Sequence, residues 1–130
     1  MGVAYEFLRE CGVFFVATVN DRAPAVRPFG AVMEYDGELY ISTANTKNVY
    51  AQMKANSYIQ IVAHKAGTRD WIRIDGNAVE VHDSDIKQRM LKECPVLVKH
   101  FGTADCEIFA LFRVSEIVGE LRTGGEMVRL

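Results

Sequence analysis

Short turns join the apolar segments in the first third of the chain, and this connectivity constrains the fold more than any other feature. Residues 13–19 and 25–35 are rich in β-branched and aromatic residues, and a polar turn separates them. Asp36-Gly37 then forms the strongest hairpin signal, directly before a third strand at 38–43. Hairpins join antiparallel strands, whereas a parallel pair needs a long crossover. The sequence therefore predicts a mainly antiparallel sheet and excludes a βαβ architecture.

The remainder of the chain mixes helical and strand patterns. Helices are predicted over 3–10, 46–56, 84–94 and 96–101, and further strands over 58–66, 69–82 and 107–121. Past Gly76 the apolar residues move from even to odd positions, which predicts a β-bulge at that glycine. Six strands of this kind are expected to form a closed or partly closed barrel with short flanking helices, a mainly β, α+β fold. Side chains fill the interior of such a barrel, so a ligand site should lie outside it or at a subunit interface.

Length, charge and cysteine content narrow the function classes. The 130 residues predict one domain, residues 1–130, and a net charge of -2 without charged blocks argues against nucleic-acid or anionic-membrane partners. The N-terminus has no signal-peptide pattern and no apolar run is long enough to span a bilayer, so we expect a cytoplasmic protein. Cys11, Cys94 and Cys106 lack the paired spacing of zinc sites and are interpreted as reduced, buried thiols.

Lys47 stands at an unusual place, at the start of the helix predicted over 46–56. With Asn45 or Thr46 as the N-cap, Lys47 falls in the first turn, where a cation opposes the helix dipole by only about 0.3 to 1 kcal/mol. An indifferent surface lysine could tolerate that cost. In the other interpretation an anion binds here, held by Lys47, by free backbone N–H groups and by the hydroxyls of Ser42, Thr43 and Thr46.

Two further arginines lie in strand patterns. Arg27 interrupts an apolar strand beside Pro28, and its guanidinium either extends to solvent or makes a bidentate phosphate contact. Trp71, Arg73 and Asp75 share one face of their strand by the two-residue period. The only tryptophan and Arg73 suit either a cation–π pair or the cover of a flat, partly anionic ligand.

These segments together carry a family resemblance. The order of a strand with "RPFG", a helix start with "STANTK", a strand with "DWIRIDG" and a capped helix "DSDIKQRML" resembles the pyridoxamine 5'-phosphate oxidase-like family of FMN-binding split-barrel proteins. The resemblance covers about residues 7–121. It implies a six-stranded split barrel, a homodimer, and FMN at the dimer interface.

The resemblance also implies which residues bind the cofactor. Arg27, Pro28, Phe29 and Gly30 would run alongside the flavin. The ribityl phosphate would be held by Ser42, Thr43, Asn45, Thr46 and Lys47, and Trp71 and Arg73 would approach the flavin from around the interface. The end of the chain, "ELRTGGEMVRL", lacks the segment through which true oxidases of the family bind pyridoxal substrates. The chain is therefore more similar to the small general-stress and nitroimidazole-reductase-like members.

From this resemblance we expect the protein to catalyse FMN-dependent oxidation or reduction of a small molecule, with a reduced nicotinamide as the electron donor. The alternatives are a flavin carrier, store or redox sensor without turnover, and a protein that binds haem or a deazaflavin on the same fold. His64, His82 and His100 lie far apart with no Glu or Cys at ligand spacing, so no metal site is predicted. His64 is interpreted as either a structural histidine or a proton donor beside the flavin. No catalytic residue is assigned, and no serine lies in a nucleophile-elbow setting.

Overall fold

Eight strands and four helices make up the computed structural model of the chain, which describes residues 2–130. The helices are α1 (Val3–Cys11), α2 (Asn48–Ala55), α3 (Ser84–Glu93) and α4 (Val98–Phe101), and a 3-10 turn, Pro95–Leu97, precedes α4. The strands are β1 (Phe14–Asn20), β2 (Ala23–Phe29), β3 (Val32–Tyr35), β4 (Glu38–Ala44), β5 (Tyr58–His64), β6 (Trp71–Val81), β7 (Phe109–Thr123) and β8 (Glu126–Arg129).

All strand pairs are antiparallel, as the hairpin signals predicted. The order across the sheet is β2-β1-β5-β6-β7-β4-β3, and β8 pairs with the far end of β7. Asp36 and Gly37 both take positive φ angles, 51° and 77°, which is the backbone of the expected two-residue hairpin turn. The edge strands β2 and β3 are not paired with each other, so the barrel is open rather than closed.

The strand count differs from the six that were predicted. The segment expected as one strand, 25–35, breaks at Gly30 and Ala31, so that β2 and β3 pair with different neighbours, β1 and β4. The chain end forms an eighth strand because Gly124 and Gly125, with φ of 58° and 80°, reverse the chain after β7. Both differences depend on backbone turns that the apolar pattern does not encode.

The sheet has a register irregularity opposite Gly76, but the extra residue is on the other strand. Asp75 pairs with Val118 and Asn77 with Ser115, so two steps along β6 match three along β7. Glu116 on β7 takes φ 54°, a left-handed conformation that accommodates the extra residue. The inward-facing residues of β6 therefore keep even numbers through Ala78. On β7 the inward-facing residues change from even numbers, such as Val114, to odd numbers, such as Leu121. The predicted parity switch after Gly76 was wrong in this respect.

Two apolar cores flank β4, which is buried on both faces along Leu39–Ala44. The larger core fills the barrel interior and includes Phe14, Ile61, Ile74 and Phe112. The second core lies between the other face of the β3-β4 hairpin and the segment from α3 to β7, with Met33, Tyr40, Met90 and Phe109 among its residues. The helix α3 begins as predicted, because the Asp83 carboxylate accepts from the backbone N–H groups of Asp85 and Ile86.

Gly119 tests how closely β6 and β7 must approach. A Cβ at this position would collide with the Arg73 carbonyl and lie 3.1 Å from the Ile74 Cα, both of them backbone atoms. We expect Gly119→Ala to lower the free energy of unfolding by about 1 to 3 kcal/mol in urea denaturation. The control is Gly30→Ala, whose Cβ would have its nearest neighbour at 3.9 Å and should change stability far less. Equal losses in both variants would contradict the argument from close approach.

Candidate functional site

A pocket of about 550 Å³ opens outside the barrel, where the end of β2, the end of β4 and the start of α2 meet the segment 96–108. One side is polar and carries Arg27, Ser42, Thr43 and Lys47. The apolar lining includes Val49 on α2 and Leu97, Phe101 and Ile108 from the segment 96–108. A mainly apolar cleft with a few convergent polar groups is the usual form of a small-molecule site.

Ser42 supplies the most informative atom of the pocket. It lies on the same face of β4 as Tyr40 and is only 8% exposed. Within residues 2–130 its Oγ is the one buried side-chain oxygen or nitrogen without a hydrogen-bond partner. Leaving such a hydroxyl unpaired costs about 1 to 3 kcal/mol. A bound ligand with a hydrogen-bonding group would remove this cost, so the Ser42 hydroxyl indicates a ligand site.

The start of α2 differs from its prediction by one to two residues. Lys47 itself occupies the N-cap position, with extended backbone at φ -90° and ψ 153°, and no side chain caps the helix. The first N–H groups of α2 have no acceptor within the helix and lie beside the exposed Lys47. Thr46 is exposed and does not line the pocket.

Asn45 does not cap α2 as predicted, but bonds to the segment before β7. Its Nδ2 donates to the Glu107 carbonyl at 2.8 Å, and its backbone N–H donates to the Ile108 carbonyl at 2.9 Å. These bonds fasten the turn between β4 and α2 to the segment that forms the opposite wall of the pocket. Asn45 therefore shapes the pocket from outside and is not among its lining residues.

Arg27 lines the pocket, but its guanidinium also makes hydrogen bonds within the protein. Nη1 donates to the Thr18 hydroxyl at 2.8 Å and Nη2 donates to the Gln52 amide oxygen at 2.6 Å. Nη1 lies within hydrogen-bond distance of the Val16 and Ala25 carbonyls as well. Burial lowers the pKa of Arg27. The side chain thus ties β2 to β1 and α2, and a contact to phosphate would have to be made alongside these bonds. Pro28, Phe29 and Gly30, also predicted, follow it along the pocket wall.

A second polar cluster fixes the middle of α2 against β6. The Tyr50 hydroxyl donates to the Glu80 carboxylate at 2.8 Å, and Lys54 Nζ lies 3.0 Å from the same oxygen. Burial raises the pKa of Glu80, but the hydrogen bonds from Tyr50 and Lys54 outweigh it, so the pKa is lowered overall. With Gln52 bound to Arg27, α2 is held from two sides, which sets the position of Lys47 at its first turn.

Trp71 and Arg73 do not line the pocket. Both lie on the outer face of the sheet, where the Arg73 guanidinium is 5.5 Å from the centroid of the Trp71 ring and 2.9 Å from the Glu120 carboxylate. The cation–π pair that the sequence allowed is therefore present. Within this chain the structure brings together Arg27, Pro28, Phe29, Gly30, Ser42, Thr43 and Lys47, and leaves Asn45, Thr46, Trp71 and Arg73 outside the pocket.

The segment 95–108 supplies pocket residues that were not predicted. Val96, Leu97, His100, Phe101 and Ile108 line the wall opposite Ser42. Phe101 stacks on Phe109 with ring centroids 4.6 Å apart, which anchors the wall to the second core. His64, the histidine considered as a proton donor, is instead in the β5-β6 hairpin, where Nε2 lies 2.6 Å from the Thr68 carbonyl. His100 is the histidine that lines the pocket. Nothing in its spacing from residues 27–47 could have indicated this contact.

Comparisons with known proteins agree with this architecture. Residues 3–104 match the protein family described as pyridoxamine 5'-phosphate oxidase. A NimC/NimA family protein from Clostridium acetobutylicum is 38% identical and superposes with a TM-score of 0.91 over 98% of this chain and 88% of that one. The chain belongs to the pyridoxamine 5'-phosphate oxidase-like family. No protein of curated function matches its sequence significantly.

More distant solved structures share the fold. A related FMN-binding protein from Nostoc punctiforme is 15% identical, with a TM-score of 0.67 over 97% of this chain and 89% of that one. The haem storage protein HutZ from Vibrio cholerae is 16% identical, with a TM-score of 0.68 over 84% of each chain. At these identities the likeness concerns the fold alone.

Membrane-spanning helices and metal-binding clusters are both absent from the part of the chain that the structure describes. Between residues 2 and 130, no helix has the length and apolar character needed to cross a bilayer. The same residues contain no group of three or more His, Cys, Asp or Glu side chains that could hold a metal ion.

Ser42→Ala separates a ligand-binding hydroxyl from a structural one. We expect the free protein to keep its stability or gain up to about 1 kcal/mol, because the variant removes a buried group that has no partner. The comparison variant is Thr18→Val, which removes a buried hydroxyl that is bonded to Arg27 and Gln52 and should destabilise the protein. Chemical denaturation measures both. A large loss of stability in Ser42→Ala would mean that its hydroxyl is satisfied within the protein.

Proposed function

We propose that this protein is a flavoprotein that binds FMN in the pocket beside Ser42 and Lys47 and acts as an oxidoreductase on small molecules. The observation that carries the proposal is the unpaired, buried Ser42 hydroxyl. The same pocket is lined by the cationic side chain of Lys47 and contains the uncapped start of α2. These groups are complementary to a phosphate monoester. Family membership and the FMN-binding relative from Nostoc punctiforme support the choice of cofactor.

The pocket residues divide by chemistry between the two ends of FMN. Ser42, Thr43, Lys47 and the first N–H groups of α2 would hold the phosphate. The stretch Arg27–Gly30 would run along the ring system, and the apolar side chains of the 96–108 wall would exclude water from it. When bound, FMN supplies the redox chemistry, and the protein contributes binding, orientation and local charge. A reduced nicotinamide is the proposed electron donor.

A homodimer is part of the proposal. Phe15, Val26, Tyr58, Val62 and Val118 lie on one side of the sheet, and we call this surface the outer apolar face. Val26 is 65% exposed and Phe15 46% exposed, and Trp71 and Arg73 lie on the same side of the sheet. Covering this face with a second copy would bury its apolar area. Trp71 and Arg73 would then approach the flavin of the partner.

Haem binding is the second candidate, because His100 lies in the pocket wall and a neutral imidazole can ligate haem iron. The haem storage protein among the structural relatives shares the fold at 16% identity. A flavin carrier, store or sensor without turnover uses the same FMN site and differs only in the absence of steady nicotinamide consumption.

The absorption spectrum of the purified protein tests the cofactor. After incubation with FMN and gel filtration, we expect flavin bands at about one FMN per chain. In Lys47→Glu, the loss of a charge-assisted phosphate contact should weaken FMN binding by about 1 to 3 kcal/mol without unfolding the protein. Fluorescence titration of FMN measures the affinity.

Lys99→Glu is the control for Lys47→Glu, because it makes the same charge change at an exposed residue of α4 outside the pocket. Equal affinity in wild type and Lys47→Glu would remove Lys47 from the site. A protein that retains haem but no flavin would replace the first candidate by the second, and His100→Ala should then abolish the haem spectrum. Flavin binding without nicotinamide consumption in the presence of acceptors would favour the carrier or sensor.

The outer apolar face is tested by Val26→Glu. We expect this variant to sediment as a monomer where the wild type sediments as a dimer, because burying an unpaired carboxylate in the interface is costly. Val3→Glu is the control, since Val3 is similarly exposed but lies on α1, outside the outer apolar face. A monomeric wild type in sedimentation velocity, or a dimer unaffected by Val26→Glu, would argue against this interface.

A further inference from the structure

A second cavity of about 800 Å³ lies next to the flavin pocket, as a groove between α1 and α3. Both helices pack on β3, and the space between them remains open to solvent. Tyr5, Leu8 and Val32 are buried and form an apolar strip at the bottom of the groove, whereas polar and charged groups make up about half of its exposed lining. Apart from Gly30 and Val96 at the junction, the proposed FMN site makes no use of this surface.

The rim of the groove is cationic. Arg9, Arg89 and Lys92 line it, against a single carboxylate, Glu93. Glu93 is already paired with Arg89 at 2.6 Å, whereas no carboxylate of residues 2–130 lies within 4 Å of Arg9 or Lys92. The groove is therefore positive in a chain whose net charge is -2.

Helix ends explain part of this charge. Arg9 and Lys92 lie in the last turns of α1 and α3, where a cation is stabilised by the helix dipole. That effect favours a basic residue at the end of each helix. It does not explain why Arg9 and Lys92 line the same cavity, or why Arg89 lines it as well.

The groove and the flavin pocket share two lining residues, Gly30 and Val96. Gly30 has no side chain to close the junction, and a Cβ built there would have only the Gly12 carbonyl within 4 Å, at 3.9 Å. Val96, the second residue at the junction, is 53% exposed. A long ligand could therefore lie in the groove and extend one end into the pocket.

We propose that this groove binds the nucleotide half of the electron donor, with a flat base on the apolar strip and phosphates at Arg9, Arg89 and Lys92. A dinucleotide fits three features together: an apolar strip for a base, a positive rim for a diphosphate, and a passage toward the pocket for a second ring. The inference rests on the proposed function for the role of the donor. The groove as a nucleotide site is testable without it.

ADP-ribose is the probe, because it carries the base and the diphosphate but no nicotinamide. We expect it to bind the FMN-incubated protein in isothermal titration calorimetry, and to shift the backbone NMR signals of Gly12, Gly30 and Val96. The double variant Arg9→Gln/Lys92→Gln should weaken ADP-ribose binding at least about tenfold, while its FMN affinity stays as in the wild type.

Arg69→Gln/Arg129→Gln is the matched control, since it removes the same total charge from exposed residues that do not line the groove. Equal weakening in both double variants would overturn the proposal in favour of overall electrostatic attraction. Pyrophosphate binding as tightly as ADP-ribose would overturn the nucleotide assignment, and so would an absence of ADP-ribose binding to a protein that retains FMN. ADP-ribose binding at the groove of a protein that retains no flavin would support the groove and reject the flavin function.

Discussion

The long antiparallel pairing of β6 with β7 is the interaction on which the rest of the structure depends. The strands pair from Trp71 with Arg122 to Val81 with Leu111, and Gly119 permits a backbone approach that any side chain would prevent. The irregularity at Glu116 switches the inward parity of β7, so its first half can pair with β4 while its second half pairs with β8. The pairing of β4 with the first half of β7 places the end of β4 where the pocket forms.

The pocket follows from the double burial of β4. Because both faces of β4 are covered, Ser42 and Thr43 at its end are held at fixed positions beside the start of α2. The helix is in turn fixed by Gln52 to Arg27 and by Tyr50 to Glu80. A short helix gains little stability from its own hydrogen bonds, so these tertiary contacts determine where its N-terminus lies. The polar groups of the pocket are thus preorganised by packing.

Prediction from sequence succeeded where the signal was local. The Asp36-Gly37 turn, the shared face of Trp71 and Arg73 on β6, and the cap at the start of α3 each depend on neighbours within a few residues. It failed at the break after Phe29, at the start of α2 and at the parity of β6, because these depend on which distant strand or loop each segment meets. Asn45 illustrates the point: its side chain suits a helix cap, but the Glu107 carbonyl binds it instead.

The amino-acid sequence by itself determined the antiparallel class, most element positions and the polar residues around Ser42 and Lys47, because periodicity and turn chemistry act over short distances. The family resemblance supplied the cofactor expectation. Only the tertiary structure decided that Trp71 and Arg73 lie outside the pocket, that His100 and Phe101 form its far wall, and that Arg9 and Lys92 face one groove. Those residues are brought together by strand pairing and helix packing across more than fifty positions of the chain, and no local pattern records such a meeting.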